Sequence, residues 1–115
     1  MHKVEDLKIW QKSMKLTKAV YMLTSQLPSD EKYGLGSQIK RSSISIPSNI
    51  AEGAGRNSNK EFKYFLSIAN GSAYELQTQL LLLTELNLIN KDKVQPNIES
   101  CIEIQKMIYV FQTKI

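Results

Sequence analysis

The sequence predicts an all-α protein, an antiparallel up-and-down four-helix bundle, on three observations. Apolar residues recur at helical spacing in four long segments. The turns between these segments are short and polar, as antiparallel neighbours require. Five Gly and three Pro in 115 residues are too few for long loops or a turn-rich all-β fold. A chain of this length makes one domain, residues 1–115, with room for a single core. It contains no internal repeat and no low-complexity segment.

From Val4 to Leu27, Ile9, Leu16, Val20, Leu23 and Leu27 share one face at about 100° per residue. A second apolar group, Leu7, Trp10, Met14 and Tyr21, lies roughly 130° away. Lys8, Lys12 and Lys15 form a narrow stripe between the two groups, on the other side of the helix. A helix with two apolar faces touches two neighbours. Because the second face exceeds what one side of a bundle needs, it predicts a homo-oligomer with Leu7, Trp10, Met14 and Tyr21 at the interface. Pro28 ends this helix.

Ser29-Asp30-Glu31 provides a start for the second helix: a capping side chain followed by acids over the positive end of the dipole. Further along, the run SSISIPSNIAEGAGR at 42–56 carries two patterns. Ile44 and Ile46 alternate with Ser43 and Ser45, as in a strand, whereas Leu35, Ile39, Ile46 and Ile50 are spaced by 4, 7 and 4, as in a helix. A lone strand among helices would leave its backbone groups unpaired, so the helix is the expectation. Pro47 then removes one backbone bond and clashes with the Ser43 carbonyl, at about 3 kcal/mol before relaxation. A kink relieves the clash, and hydroxyls of Ser43, Ser45 and Ser48 are at hand for freed carbonyls.

Ser58-Asn59-Lys60-Glu61 fits the capping box of a third helix, with Gly53 and Gly55 supplying the preceding turn. Phe65, Leu66, Ala69, Ala73, Leu76, Leu80 and Leu83 form its apolar face. Between Tyr64 and Asn90 the only charges are Glu75 and Glu85, which predicts a central helix covered on several sides. Asn87 to Asn90 turns the chain into a last helix with Val94, Ile98, Cys101, Ile102, Ile108 and Tyr109 inward. Pro96 is tolerated only near a first turn, so the sequence leaves the start of this helix open.

Gln38, Arg41, Ser45, Asn49, Glu52 and Arg56 recur at spacings of 3, 4, 4, 3 and 4, one polar stripe on the second helix. A solvated face is ordinarily Lys and Glu; Ser, Asn and Arg suit specific hydrogen bonds. The stripe is read as a structural network within or between subunits, with a ligand or nucleic-acid contact and plain solvation as alternatives. Asn49 and Glu52 are expected to be at least partly buried, with Arg41 or Arg56 as the charge partner.

SIPSNIAEGAGR, with LKIWQKSMKLTKAVY before it and EFKYFLSIANGSAYEL after it, resembles the four-helix-bundle family encoded in intervening sequences of bacterial 23S ribosomal RNA genes, also called the S23 ribosomal protein family. The resemblance spans about residues 5 to 90; the last helix shares only the pattern. It implies an up-and-down protomer that assembles into a ring, a homopentamer. It also implies kinship with the accessory variability protein of diversity-generating retroelements, a basic barrel that binds a reverse transcriptase and nucleic acid. No activity is established for the family. The matching positions are Arg41, Pro47, Asn49, Glu52, Gly53, Arg56, Gly71, Ser72 and Glu75, and Glu75 thereby joins the polar set of Arg41, Ser45, Asn49 and Glu52. Lys40-Arg41 stands where family members often carry paired arginines, and Asn70 where they often carry Arg, which weakens phosphate binding there.

Chemistry-bearing clusters are scarce. His2 is the only histidine, at an end expected to fray, and Cys101 is alone, so neither a metal site nor an intramolecular disulfide is expected. GAG at 53–55 lacks the strand and Lys-Ser/Thr of a phosphate loop. Glu52 and Glu75 have no companion nucleophile, so no enzyme and no cofactor are expected. Trp10 and Tyr21 lie on an apolar stripe, which favours a helix interface over a base-stacking platform. The N-terminal MHKVEDLKIW lacks a signal-peptide core and no apolar run reaches membrane length, so a cytoplasmic protein without membrane contact is expected.

Net charge is +4, and five lysines (Lys3, Lys8, Lys12, Lys15, Lys18) stand in the first 28 residues against Glu5 and Asp6. The leading expectation is a ring-forming helical protein that contacts RNA or another nucleic acid through Lys8, Lys12, Lys15, Lys40 and Arg56. The rival is a scaffold that docks a protein partner and touches no nucleic acid.

Overall fold

A computed structural model describes residues 2–115 and contains no strand among them. A 3-10 turn at Val4–Asp6 precedes α1 (Lys8–Thr24); a single-turn α2 (Ser29–Lys32) leads into α3 (Leu35–Ala54), α4 (Asn59–Glu85) and α5 (Lys91–Lys114). α1 packs against α3 and α5, and α4 against the same two helices, which closes a four-helix bundle 44 Å long and 22 by 19 Å across. Ile9, Leu16, Val20, Leu23 and Leu27, the inward set of the first helix, are all buried in its core.

The expected helix from Val4 to Leu27 is broken. Leu7 is extended (φ −81°, ψ 120°), and its N–H closes the 3-10 turn on the Val4 carbonyl at 3.0 Å. At the other end Gln26 and Leu27 bond to carbonyls three residues back, a tightened last turn beyond Thr24. The second helix is broken as well. Pro28 is the cap of α2, so Ser29 lies inside it and caps nothing. Gly34 (φ −101°, ψ −104°) then leaves the helical region, and the long helix begins only at Leu35.

α3 runs uninterrupted through Pro47. The Ser43 carbonyl, deprived of its donor four residues on, lies 2.9 Å from the Thr17 hydroxyl of α1, whose single proton it shares with the Ser13 carbonyl at 3.0 Å. The expected local serines do otherwise: Ser43 Oγ donates to the Lys40 carbonyl at 2.8 Å. A neighbouring helix therefore supplies the bond that proline removes. Thr17→Val keeps the shape and deletes the donor, and it should cost about 1–3 kcal/mol in chemical denaturation. Thr17→Ser should retain most of that, and equal stability of the Val and Ser variants would show the carbonyl needs no partner.

Ser58 caps α4 as expected, accepting from the Glu61 N–H at 3.2 Å. The reciprocal half of the box differs, since the Glu61 carboxylate meets the Ser58 hydroxyl at 3.3 Å. α4 ends in a Schellman turn: Asn87 takes φ 55°, Leu88 N–H reaches the Leu83 carbonyl at 2.9 Å and Asn87 N–H the Thr84 carbonyl at 3.0 Å. The open question at Pro96 is answered by Asn90, whose side chain accepts from the Asp92 N–H at 3.0 Å. α5 thus starts at Lys91, and Pro96 sits past the first turn on an exposed surface where water can reach the carbonyl it leaves unpaired.

α4 is not covered on several sides. It has two packed neighbours, and Tyr64, Ile68, Leu82 and Leu86 are exposed along its outer surface. Scarcity of charge there reflects an outer face of Tyr, Gly, Thr and Leu rather than burial in the protomer. Phe65 and Ile102 are half-buried, and Tyr109, expected inside, is 66% exposed.

Candidate functional site

The five predicted cations lie on three separate flanks. Lys8, Lys12 and Lys15 are exposed along the α1 side that meets α5, where Lys12 Nζ pairs with Glu103 at 2.6 Å. Lys40 sits on the α1–α3 flank, its Nζ 5.1 Å from the centre of the Tyr21 ring. Arg56, at the end of α3, lies 4.8 Å over the Phe65 ring of α4 and 3.5 Å from Glu52. No single patch joins them within one protomer. The structure adds two cations that sequence reasoning missed. Lys106 and Lys114 of α5 stand with Lys8 and Asp6 around an apolar cleft of about 500 Å³ floored by Ile9, Met107 and Phe111. Their separation from Lys8 along the chain hides this cluster until the pairing of α1 with α5 is known.

The polar stripe divides in two. Its inner half is a network with α4: Ser45 and Ser72 hydroxyls meet at 2.8 Å, and Asn49 Nδ2 donates to the Ser45 carbonyl at 2.8 Å and hydroxyl at 3.0 Å. Ser42, outside the predicted set, adds a bond to Gln79 at 2.6 Å. The outer half faces solvent. Gln38, Arg41 and Glu75 are exposed, and the Glu52–Arg56 pair is 55% and 42% exposed. Asn49 is half-buried and hydrogen-bonded as expected. Glu52 has the expected partner in Arg56 but is exposed rather than buried, because a stripe this broad spans both the α4 seam and the open face. Glu52→Ala should therefore change stability by less than about 1 kcal/mol, since exposed pairs rarely contribute more. A melting shift far beyond that would require burial of this face.

Of the proposed interface, Leu7 and Trp10 are half-buried and packed on the protomer's own core, which removes half of the surplus face. Met14 and Tyr21 remain 46% and 40% exposed. His2 is not frayed: its N–H reaches the Ala54 carbonyl at 3.3 Å and its ring lies 4.8 Å from Phe62. Cys101 is fully buried, and burial pushes its thiol up to about 12, so almost no thiolate forms near neutral pH. No group of three His, Cys, Asp or Glu side chains among the described residues could hold a metal ion. No described helix is long and apolar enough to cross a membrane.

Pro47, Asn49, Gly53 and Ser72 of the motif explain themselves through packing. Pro47 is buried and the Ser43 carbonyl it frees is met by Thr17, Asn49 holds Ser45, whose hydroxyl meets Ser72 across α3 and α4, and Gly53 lies where these helices touch. A Cβ built at Gly53 would fall 2.8 Å from both Phe62 Cδ1 and Phe65 Cβ. Gly71, by contrast, faces open space, and Asn70 beside it buries an Oδ1 that accepts no hydrogen bond among the described residues.

This fold recurs in a solved structure. A protein of unknown function from the S23 ribosomal protein family of Bacteroides thetaiotaomicron VPI-5482 superposes with a TM-score of 0.84 at 27% identity, over 90% of this chain and 97% of that one. No curated protein matches the chain significantly. The family described as 23S rRNA-intervening sequence protein matches residues 5–110, so the last helix, alike only in pattern by sequence, is included. Neither description names a catalytic activity. A match over nearly the whole bundle, with Pro47, Asn49, Gly53 and Ser72 of its motif set in the packing of α3, means that the chain belongs to the 23S rRNA-intervening sequence protein family.

Proposed function

We propose that the protein is a non-enzymatic, cytoplasmic homo-oligomer, a ring of five bundles, that contacts structured RNA or another nucleic acid through basic helix faces. The observation that carries the nucleic-acid reading is the α1–α5 seam. Lys8, Lys15, Lys106 and Lys114 stand along it against Asp6, Glu99 and the already paired Glu103. Ammonium groups along adjacent helices can follow a phosphate backbone, and release of its counterions makes such binding salt-dependent. A ring repeats the seam on every subunit, so a weak contact gains avidity. Lysine is a point charge without the planar fork that reads base edges, so binding is nearly independent of sequence.

Assembly is supported by the exposed apolar residues of α4 (Tyr64, Ile68, Leu82) and its cap Leu86, together with Met14 and Tyr21. In the same reading α3 bends at Pro47, where one backbone restraint is missing. The rival scaffold reading draws on the Lys12–Glu103 pair, an acid set within the basic stripe.

The test is a titration with structured RNA at two salt concentrations, beside a Lys8→Gln, Lys12→Gln, Lys15→Gln variant and a sedimentation measurement. Expected are an oligomer, salt-sensitive binding and a shallower salt slope in the variant. Monomer alone at micromolar concentration removes the ring. Equal binding by variant and wild type, or none at low salt, hands the lead to a protein-docking scaffold.

A further inference from the structure

On the flank away from the lysine stripe, α4 and α5 leave a groove of about 700 Å³ between them, within the range of small-molecule sites. Asn70, Tyr74 and Gln77 of α4 line one side, and Gln105, Lys106 and Tyr109 of α5 line the other. Gln105 Nε2 donates to Gln77 Oε1 at 2.7 Å across the helix pair. Because the helices are antiparallel, a step of about one turn from that bond places Tyr74 and Tyr109 at the same level on opposite walls. Both tyrosines are largely exposed, at 57% and 66%. Large aromatic faces held open over a concave surface are platforms for a planar ring.

The polar groups of the groove are incompletely used. Asn70 Oδ1 is buried and accepts nothing among the described residues. Buried polar atoms are almost always paired, so this acceptor points to a missing donor. The bond from Gln105 to Gln77 leaves the Gln77 amide as a free donor and the Gln105 carbonyl as a free acceptor. Lys106 is the one charged residue lining the groove; of the carboxylates near it on α5, Glu103 is already paired with Lys12 and Glu99 lies outside the groove. A ligand that suits all of these is flat and aromatic, carries both N–H donors and acceptors on its edge, and bears a negative charge nearby. A peptide side chain seldom combines them.

We infer that the α4–α5 groove binds a nucleobase together with its adjoining phosphate. The base stacks on Tyr74 and Tyr109, Gln77 and Gln105 meet its ring nitrogens or carbonyl, Lys106 holds the phosphate, and a rotation of the Asn70 side chain brings its unpaired Oδ1 out to an amine on the base's edge. Base-edge contacts of this kind discriminate, unlike the lysine seam. The nucleotide can be free or an unpaired residue of a strand. The site shares Lys106 with the lysine seam but none of Lys8, Lys12 and Lys15, so the triple variant at those three positions separates the two.

The experiment is a titration of the intact protein with adenosine 5′-monophosphate, followed by NMR of the side-chain amides of Asn70, Gln77 and Gln105, with ribose 5-phosphate as the baseless control. A labelled oligoadenylate forms a second arm. Expected is saturable binding of the mononucleotide, weakened about tenfold or more by Tyr74→Ala or Tyr109→Ala, as loss of stacking on one ring implies. Asn70→Ala should weaken it too, and Lys106→Gln should weaken the mononucleotide but not adenosine. The triple Lys→Gln variant at 8, 12 and 15 should bind the mononucleotide like wild type. Tyrosine-dependent binding of the mononucleotide alone assigns a free nucleotide, and the same dependence with oligoadenylate assigns a strand; either supports the groove. Absent amide shifts in both arms, equal binding of ribose 5-phosphate, or unchanged binding in both tyrosine variants overturns it. A changed sedimentation coefficient in Tyr109→Ala with unchanged nucleotide binding also overturns it, and makes the groove a contact between copies of the chain.

Discussion

Phe62→Ala should lower the unfolding free energy by about 3–5 kcal/mol, the range for truncating a large buried aromatic. Phe62 is 1% exposed in the first turn of α4 and meets three other parts of the chain. Its ring lies 5.4 Å from that of Phe111 near the end of α5 and 4.8 Å from the His2 ring. It also sits against Gly53, near the end of α3. Truncation opens a void that Gly53 has no side chain to fill, and collapse of α4 onto α3 would disturb both aromatic partners. Urea denaturation checks the value, and Phe62→Met, which nearly conserves volume, should cost less than about 1.5 kcal/mol. A loss below about 1 kcal/mol for the alanine variant would mean that this end of the bundle opens before the rest unfolds.

Helix periodicity was a good guide where one face is buried and the other charged. On α1 the inward set is the buried set, and the lysine stripe is exposed. Breaks were harder to see. Leu7 interrupts a helix without a proline or a cluster of turn residues, because the chain end must dock on Ala54. The break at Gly34 lies within the Gly- and Ser-containing run 33–37, which the apolar spacing from Leu35 onward overshadowed. On α4 the pattern misled for a different reason. An uncharged outer face resembles a buried one in sequence, and only the bundle's geometry tells them apart.

The candidate site was legible in part. Ser45 and Asn49 stood out by residue type, and they do form hydrogen bonds, but Glu52 and Arg41 on the same stripe face water. Thr17 and Ser42 carried no signal, since a single hydroxyl on a helix becomes informative only when the helix it faces is known. Likewise Lys106, Lys114 and the α4–α5 groove are products of pairing α5 with α1 and α4. Asn70 was visible as a departure from the family pattern, yet its unpaired carbonyl belongs to the fold.

Two glycines of the same family pattern should respond to alanine with opposite signs. At Gly53 the new methyl group would stand 2.8 Å from Phe65 Cβ and 3.2 Å from the Phe62 carbonyl oxygen, atoms fixed by the α4 backbone. No rotamer change relieves those contacts, so α3 and α4 must separate. Gly53→Ala should cost about 1–3 kcal/mol even after the gain in helix propensity. Combining it with Phe62→Leu should give little rescue, because trimming the ring removes only the contact at Cδ1. At Gly71 a Cβ meets nothing within 4 Å, and the residue lies inside α4. Gly71→Ala should therefore stabilise the protomer by about 0.5–1 kcal/mol, through the smaller backbone freedom of the unfolded chain. Denaturation at several protein concentrations separates protomer stability from assembly. If Gly71→Ala destabilises, and more so at high concentration, then another molecule lies against the outer face of α4 and the added methyl group strikes it.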